Sequence, residues 1–305
     1  MSTFFISLLV KLWSLVMALI LTAAPGGALA GEEIQPADED NLKLNFSVLA
    51  DAHIESYTFW RFQDLRRGLL DINRAEAGSD ALVLLGDNTM NGQFTEYTQL
   101  YSILTRWNTS KNTLAAMGNH DVNPSKNTID EAVARHNRFF NGYTGAKNDK
   151  PYYAREINGY TFIVLGSEDE HGGVEDGTYA WFSPEQIAWL DAELAKAAEP
   201  GKPIFVFNHQ PLLEEHWEWG TAVPGEEAFE VLKKYDHVIY FNGHTHQPAS
   251  MLTEEGVTFI NTPHFSNEGA GGPGFYVEVY ETRVLVRERA FANGAWTNLE
   301  MNIGL

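Results

Sequence analysis

Hydrophobic and polar positions recur along the chain with two spacings, which predict strands and helices in alternation. Short apolar runs are typical of buried strands, and apolar residues three and four positions apart are typical of helices that pack on one face. Alternation of the two favours a layered α/β domain. The predicted strands cover residues 42–50, 81–85, 113–117, 204–207 and 238–241, and the predicted helices cover residues 59–73, 94–107, 128–140, 183–197 and 226–235.

Turn and capping residues add detail to this pattern. Asn158-Gly159 separates two apolar runs, 152–157 and 160–165, and predicts a two-residue β-hairpin. Ser183-Pro184-Glu185-Gln186 has the form of a capping box with proline in the first turn, so it predicts a helix start. From about residue 257 onward the pattern is strand and turn only. Long loops that could cover a site are predicted at 166–178 and 212–225.

Residues 1–30 differ from the rest of the chain. Lys11 is their only charged residue, residues 12–21 are an apolar block, and Ala28-Leu29-Ala30 resembles a cleavage site between small residues. We therefore predict a secretory signal peptide at 1–30, a single domain at 31–305, and a secreted or extracytoplasmic mature protein. The apolar block is short for a bilayer, so no membrane span is expected after cleavage. An uncleaved membrane anchor is the alternative.

The composition limits the partners of the protein. Its 305 residues include 41 acidic and 21 basic ones, a net charge of −20, and 44% are hydrophobic. The negative charge argues against a nucleic-acid groove or an anionic membrane surface as the main partner. Because the chain has no cysteine, an exported form has no disulfide and depends on its core and on any bound metal for stability. The sequence does not determine the oligomeric state.

Side chains that can bind metals follow five of the predicted strands. The densest group is Gly118-Asn119-His120-Asp121, where a glycine that permits a tight or left-handed turn precedes an amide, an imidazole and a carboxylate. Taken alone, such a group is as typical of a polar turn as of a site. In α/β folds, however, ligands collect where the carboxyl ends of strands meet. The candidate metal ligands are Asp51, His53, Asp87, Asn119, His209, His244 and His246.

The number and type of these donors indicate two metal ions. Seven oxygen and nitrogen donors are too many for one ion and suit two first-row divalent ions that share a carboxylate. Asp51 and His53 are two positions apart, so an extended backbone would direct both to one side. A structural zinc cluster with thiolate ligands is excluded because the chain has no cysteine.

Five sequence blocks, in this order, resemble those of the calcineurin-like metallophosphoesterase superfamily. They are Asp-x-His at Asp51, Gly-Asp-x at Asp87, Gly-Asn-His-Asp at 118–121, a lone His209 after a strand, and Gly-His-x-His ending at His246. Gln-Ile-Ala-Trp-Leu at 186–190 also resembles the branch of cyclic-nucleotide and related phosphodiesterases. The resemblance implies a four-layer α-β-β-α sandwich of two mixed sheets and a binuclear centre of Mn, Fe or Zn ions.

The resemblance also implies roles for individual residues. Two such ions make hydroxide available from a bridging water at neutral pH and offset the charge of the phosphoryl group under attack. His120 is then expected to donate a proton to the leaving group, with Asp121 orienting its ring. The family pattern assigns Asp51, His53 and His246 to one ion, Asn119, His209 and His244 to the other, and Asp87 to both.

The expected activity is hydrolysis of phosphodiester bonds in a small phosphate-ester substrate. A phosphomonoesterase or nucleotide pyrophosphatase of the same family would differ only in its pocket, and parallel assays of diester and monoester would separate them. A non-catalytic metal-binding scaffold is a more remote alternative, which metal analysis of the purified protein would test. Weaker candidates for substrate contacts are Asn88, His171, His216, Trp217 and His264, of which Asn88 and His264 are alternatively expected to support the ligands.

Overall fold

Two six-stranded sheets, each with parallel and antiparallel strands, form the centre of the computed structural model. The structure describes residues 31–169, 177–214, 216 and 220–305. The predicted α/β class with two mixed sheets is confirmed. The strands are β1 Leu44–Leu49, β2 Ala81–Leu85, β3 Asn112–Ala116, β4 Tyr153–Ile157, β5 Tyr160–Val164, β6 Ala180–Trp181, β7 Ile204–Phe207, β8 Ala222–Val223, β9 Val238–Asn242, β10 Ser250–Glu254, β11 Val257–Asn261, β12 Pro273–Val279, β13 Arg283–Ala290 and β14 Ala295–Gly304.

The first sheet has the strand order β14-β13-β12-β1-β2-β3. Its strands β1, β2 and β3 are parallel, whereas β12 runs antiparallel to β1 and continues into an antiparallel C-terminal part. All residues of β1 and β2 are buried; β2 is a continuous apolar run, as is typical of such strands, whereas β1 also buries the polar residues Asn45 and Ser47. The parallel arrangement brings the carboxyl ends of β1, β2 and β3 to one edge of the sheet.

The second sheet has the strand order β10-β11-β9-β7-β5-β4. Its four central strands are parallel, and the strands at both edges are antiparallel to their neighbours. The carboxyl ends of β7 and β9 are therefore adjacent. A separate short pair is formed by β6, which begins just after the predicted loop 166–178, and β8, which lies within the predicted loop 212–225.

Aromatic side chains fill the space between the two sheets. The ring of Phe46 on β1 makes edge contacts with Phe162 and Phe205 of the second sheet, with both centroid distances 5.0 Å. Phe207 and Phe241 stack on each other at 5.3 Å beside it. All five rings are fully buried. Such contacts each add about 0.5–1.5 kcal/mol to the burial free energy, so they hold the two sheets, and the strand ends above them, in a fixed relation.

Six helices are present among the described residues. Those that follow β6 and β8 pack on the second sheet, and helices of the first half contact one another and β3. None of the six combines the length and the hydropathy that a membrane span requires. The helices are α1 Phe59–Ile72, α2 Phe94–Trp107, α3 Asn119–Val122, α4 Ile129–Thr144, α5 Pro184–Ala197 and α6 Gly225–Leu232.

Helix α5 begins with one of the two hydrogen bonds of the predicted capping box. The Ser183 hydroxyl accepts the backbone N–H of Gln186 at 3.1 Å, as predicted. The Gln186 side chain does not return to the cap, however. It bonds the backbone N–H and carbonyl of Gly166 at 3.1 and 2.9 Å, while the Ser183 N–H is bound by Glu168. The glutamine thus fixes the loop after β5 against α5.

Other predicted boundaries differ modestly from the structure. Helix α4 continues to Thr144, one turn beyond the prediction, and α6 ends at Leu232 rather than at 235. Strand β10 was not predicted, because its residues are mostly exposed and carry no apolar run. Gly31–Leu305 is one compact unit of the chain. The predicted signal peptide at 1–30 lies outside the described residues.

A buried histidine on α4 makes the stability of the fold sensitive to acid. His136 stacks on Phe140 at 6.0 Å, and burial lowers its pKa from 6.5 to about 4. The unfolded chain takes up this proton near pH 6.5, and the folded chain does so only near pH 4. The free energy of unfolding must therefore fall as the pH drops through this window, by about 3 kcal/mol for a shift of this size.

We expect His136→Gln to remove this part of the acid sensitivity. Denaturant titrations of both proteins at pH 7, 6, 5 and 4 measure it as a shallower decline in the variant. The comparison uses the slope with pH, because the substitution also changes packing at every pH. Parallel declines in the two proteins would show that His136 is not the group responsible.

Candidate metal centre

The seven candidate ligands all lie at the carboxyl ends of strands that the two sheets bring side by side. The ends of β1, β2 and β3 in the first sheet provide four of them, and the ends of β7 and β9 in the second sheet provide three. Backbone hydrogen bonds join the ends of β1 and β2, with Asp51 N–H bound to Gly86 O at 3.1 Å and His53 N–H to Asp87 O at 2.8 Å. Gly243 N–H bonds His209 O at 2.9 Å and joins the ends of β7 and β9.

Five of these ligands have left-handed backbone conformations. Ten non-glycine residues in the described part of the chain have positive φ, so half of all such residues belong to the candidate site. The extended backbone predicted for the pair at the end of β1 is therefore wrong: each residue turns the chain, and both side chains still point into the same space. Sparsely populated conformations of this type cost on the order of 1–3 kcal/mol each and cluster at functional sites. The five residues are Asp51, His53, Asp87, His244 and His246, with φ of 58°, 45°, 46°, 67° and 54°.

The first cluster contains Asp51, His53 and His246. The Nε2 atoms of the two histidines are 3.4 Å apart, and Asp51 Oδ1 lies 3.2 Å from His246 Nε2 and 3.7 Å from His53 Nε2. Two imidazole nitrogens that face each other and a carboxylate across so small a space form an arrangement that a shared cation would stabilise. The predicted set for one ion is thus brought together.

The second cluster contains Asn119, His209 and His244. His244 Nδ1 lies 3.0 Å from Asn119 Oδ1, and the rings of His209 and His244 are 5.2 Å apart. Asp87 Oδ2 lies 3.2 Å from His209 Nε2 and 3.9 Å from His53 Nε2. Asp87 therefore stands between the two clusters, in the position predicted for the shared carboxylate.

The ionisable groups of the site change one another's pKa values. Burial alone would raise the pKa of the Asp51 and Asp87 carboxyls, but the adjacent His209 and other histidines hold both below their ordinary value. Burial lowers the pKa of His53 to about 3 and that of His244 to about 4, so both imidazoles are neutral donors at pH 7. Burial acts against protonation of His209 as well, yet the two carboxylates raise its pKa to about 9. An ion bound at His209 must displace this proton.

The chemistry of these groups fits a pair of divalent cations. Buried carboxylates and neutral imidazoles are ligands that first-row divalent metals accept. His209 is fully buried and its Nδ1 is bound to Leu85 O at 2.8 Å, which leaves Nε2 directed at the site. Although Nε2 lies 3.2 Å from Asp87, it has no hydrogen bond of acceptable geometry with any described group. The Nε2 atom of His209 is therefore suited to bind an ion that lies between His209 and Asp87.

Two glycines permit the backbone to approach the ligands. Gly118 has extended dihedral angles, φ −110° and ψ 178°, so the left-handed conformation that a glycine permits is not used there. Its lack of a side chain matters for a different reason, since a Cβ atom would lie 2.2 Å from Asp87 Oδ1. Gly86 does adopt a left-handed conformation, φ 84°, and a Cβ atom there would lie 2.5 Å from the Cβ of His209. Larger residues at either position would displace a candidate ligand.

His120 is held at the rim of the site by two backbone contacts. Its N–H donates to Asp87 Oδ1 at 2.8 Å, and its Nδ1 lies 2.8 Å from the Met90 carbonyl. Because a carbonyl only accepts, Nδ1 carries a hydrogen, and Nε2 is the nitrogen that remains for exchange of a proton. Nε2 lies 4.0 Å from Asp87 Oδ2 on a half-exposed ring. This nitrogen can reach a substrate at the centre.

The prediction that Asp121 orients the His120 ring is wrong. Burial and the charge of Asp87 raise the pKa of Asp121, against the hydrogen bonds that it accepts. These bonds come from the backbone N–H groups of Asn88, Thr89 and Gly118 and from the side chains of Asn88 and Thr89, at 2.7–3.1 Å. Asp121 therefore joins the turns after β2 and β3 and acts on His120 only through the backbone, while the Met90 carbonyl fixes the ring.

The weaker candidates for substrate contacts have different outcomes. Asn88 is buried and its amide bonds Ala116 O at 2.7 Å and Asp121 at 3.1 Å, so it supports the turns that carry ligands and does not face a substrate. His216 is 2.7 Å from Glu254 and packs its ring on Phe259, and these contacts do not place it with the metal-type clusters. His264 stacks on His246 at 3.9 Å. His171 and Trp217 lie outside the described residues.

The sequence did not indicate the groups that stabilise the backbone turns carrying the candidate ligands. Arg61, on the first turn of α1, donates Nη1 to the backbone carbonyl of His53 at 3.0 Å and lies 3.6 Å from Glu55. Together with Thr89 and Met90 it stabilises the turns that carry ligands. The only sequence signal for these residues is their position within a few residues of a ligand at a strand end.

Comparison with known proteins adds findings about sequence and about fold. A sequence model of the calcineurin-like phosphoesterase family matches residues 44–248. A relative from Ruthia magnifica subsp. Calyptogena magnifica, described as a probable cyclic nucleotide phosphodiesterase, is 26% identical over 235 residues. The match covers 73% of this chain and 88% of the relative.

Two solved structures show the same fold at low sequence identity. A dimetal phosphatase from Danio rerio superposes with a TM-score of 0.68 at 16% identity, covering 87% of this chain and 99% of that one. GAP50, described as the anchor in the inner membrane complex of Plasmodium, superposes with a TM-score of 0.58 at 12% identity, covering 86% and 89%. Since one neighbour is a phosphatase and the other an anchor, the fold alone does not identify the activity.

Proposed function

This chain belongs to the calcineurin-like phosphoesterase family and is a metal-dependent phosphoric ester hydrolase, and we propose that it hydrolyses phosphodiester bonds at a centre of two divalent metal ions. The proposal goes beyond family membership in four respects: the bond cleaved, the number of ions, the residues that act and the compartment. The relative described as a cyclic nucleotide phosphodiesterase supports the choice of diesters.

The observation that carries the proposal is the position of Asp87. Its carboxylate stands between two groups of nitrogen and oxygen donors, 3.2 Å from His209 on one side and 3.9 Å from His53 on the other. When bound there, a pair of divalent ions lowers the pKa of a shared water to near neutrality and offsets the charge of the phosphoryl group. Bound ions would also offset the net charge of −20, which by itself repels anionic substrates.

The residues of the chain have three tasks in this reaction. The seven candidate ligands would hold the two ions, and the left-handed turns of five of them fix the positions of these side chains before substrate binds. Asp121 holds the turns after β2 and β3 together. His120, with its Nδ1–H bound to Met90, transfers a proton from Nε2 to the departing alkoxide. A diester with an alkyl leaving group needs this proton most.

We also propose that the protein acts outside the cytoplasm. The support is the sequence of residues 1–30, with one lysine, an apolar block and Ala28-Leu29-Ala30 at its end. Because the chain has no cysteine, its folding requires no disulfide and is the same in an oxidising or a reducing compartment.

A substrate panel tests the proposal. Purified protein is stripped of metal with a chelator, reloaded with Mn²⁺, Fe²⁺ or Zn²⁺, and assayed with bis-p-nitrophenyl phosphate, p-nitrophenyl phosphate and a cyclic nucleotide. We expect activity only in the reloaded protein, with two ions per chain, and a higher kcat/KM for diesters than for the monoester. A higher kcat/KM for the monoester would assign the protein to the phosphomonoesterases of the family. Full activity without metal would refute the proposed centre.

A further inference from the structure

Exposed apolar side chains are concentrated beside the candidate metal centre. Among the described residues five large hydrophobic side chains are exposed, and the three aromatic ones are Tyr57, Phe59 and Phe94. Tyr57 lies in the turn after β1, and the two phenylalanines are the first residues of α1 and α2, which follow β1 and β2. The other two, Met251 and Leu252, lie on the edge strand β10. Single exposed apolar residues are ordinary, whereas a group of them at a site indicates a surface for a ligand.

The turns after β1 and β2 run side by side away from the strand ends. Met90 N–H bonds Ile54 O at 3.0 Å. Farther from the strands, the hydroxyl of Ser56 donates to the hydroxyl of Thr95 at 3.1 Å. Each of these two hydroxyl residues is the sequence neighbour of an exposed aromatic residue. The exposed rings of the two turns therefore start from adjacent points at the rim of the centre.

Tyr57 is the aromatic residue that the protein itself covers least. Phe59 stacks on Phe62 at 5.8 Å, and Phe94 lies 5.1 Å from Phe139 of α4, so each is only half exposed. Tyr57, in contrast, is 89% exposed. Because an aromatic ring gains free energy when it is buried against another ring, a ligand with such a ring has a surface available here.

The turn that carries Tyr57 is fixed relative to the candidate ligands. Thr58 N–H bonds Glu55 O at 3.3 Å, and the Thr58 hydroxyl donates to the Glu55 carboxylate. Arg61 bonds the carbonyl of His53 at 3.0 Å. Four residues of chain separate Tyr57 from His53, a span of at most about 14 Å. The ring is thus held at a short and defined separation from the centre.

The position of His120 determines where the leaving group of a diester must lie. In an in-line displacement the leaving group departs opposite the attacking hydroxide, beside the group that gives it a proton. The His120 ring lies 4.7 Å from the ring of His53, and its Nδ1 is fixed by Met90 O. Both of these contacts are to the turns after β1 and β2. The leaving group therefore departs on the side of the centre where these turns expose their aromatic residues.

We propose that Tyr57 recognises the leaving group of the substrate by stacking on a planar aromatic ring that this group carries. The inference rests on the proposed function, because it assigns a specificity-determining residue to that diester reaction. Stacking requires no charge on the ligand, so it is effective in a chain with a net charge of −20. Either a nucleobase or a simple aryl group provides such a ring, and every base has a face on which a side chain can stack.

Two matched pairs of diesters test the proposal in the metal-loaded full chain. Benzyl methyl phosphate and cyclohexylmethyl methyl phosphate have leaving alcohols of similar size, of which only one is aromatic. Adenosine 5′-(methyl phosphate) is compared with the methyl riboside 5′-(methyl phosphate), which lacks the base. The measurement is kcat/KM for release of the larger alcohol, and the preference is the ratio of the two values within each pair.

Four variants are compared with wild type. Tyr57→Ala removes the ring, Tyr57→Leu keeps an apolar side chain without a ring, and Tyr57→Phe keeps the ring without the hydroxyl. Leu252→Ala is the matched control, because it removes an exposed apolar side chain on β10, outside the clusters of candidate ligands. Metal content and thermal unfolding equal to those of wild type show that a variant has an intact centre and fold.

We expect wild type to prefer the aromatic member of at least one pair, and Tyr57→Ala and Tyr57→Leu to lower this preference about 10-fold, mainly through KM. Tyr57→Phe and Leu252→Ala should keep the wild-type preference. A loss confined to one pair identifies the ring as a nucleobase or as a simple aryl group.

Two results would overturn the inference while the proposed function stands. One is a wild type that hydrolyses diesters without preference for an aromatic member of either pair. The other is an unchanged preference in Tyr57→Ala, including equal losses for both members of each pair. A wild type without metal-dependent hydrolysis of any diester would overturn the proposed function and this inference with it.

Discussion

Asp87→Asn is expected to abolish hydrolysis and to reduce the bound metal from two ions per chain to one or none. The carboxylate stands between both clusters, and an amide can offer only one neutral oxygen to a position that requires charge on two sides. Loss of the shared ligand removes the activated water and the charge compensation together, which amounts to several kcal/mol. We therefore expect kcat/KM for a diester to fall on the order of 10⁴-fold or more.

Metal analysis and thermal unfolding complete this test. In the metal-free state the variant is expected to unfold at a lower temperature than wild type, because it loses the ion pair between Asp87 and the protonated His209, so metal content is compared at a temperature at which both proteins are folded. Asp64→Asn, on α1, is a suitable control: it changes the same groups on a residue outside the site and should leave metal content and rate unchanged. Retention of two ions and of the rate by Asp87→Asn would contradict the proposed role of this residue.

His120→Asn is expected to reduce hydrolysis of alkyl diesters on the order of 10²–10⁴-fold while metal content remains at two ions. The ring is fixed by Met90 O at Nδ1, and Nε2 is the only remaining site for proton transfer. A leaving group such as p-nitrophenolate needs little protonation, so the loss for bis-p-nitrophenyl phosphate should be much smaller. The measurement is the ratio of kcat/KM for the two substrates in variant and wild type.

The ratio separates proton donation from simple damage to the site. His120 N–H also binds Asp87, but this bond comes from the backbone and is retained in the variant. An equal loss for both substrates would indicate a general disturbance, and unaltered turnover of the alkyl diester would exclude His120 as the donor. His216→Asn is the control, because His216 lies 2.7 Å from Glu254 and not with the candidate ligands. It should leave kcat/KM unchanged for both substrates.

The sequence predicted most of the fold because local patterns and buried strands coincide. The apolar run of β2 and the helical spacing of α2 match the structure residue for residue. Asn158-Gly159 forms the predicted hairpin turn, with φ of 51° and 80°, because few other residue pairs adopt these angles readily. The exposed strand β10 could not be predicted in this way, because its residues carry no apolar pattern even though its partner β11 follows directly in the sequence.

The sequence also determined which donors are available and in what order they occur at strand ends. Oxygen and nitrogen ligands without any cysteine already restrict the metals, and parallel strands bring their carboxyl ends to one edge. Only the tertiary structure decided how each side chain is used. Left-handed turns redirect Asp51 and His53, Asp121 binds backbone groups rather than His120, and a segment after β11 places His264 on His246. These outcomes depend on contacts such as those of Asn88 with Asp121 and of Ala52 with Ser266, which are 33 and 214 positions apart, and a local pattern carries no information about such contacts.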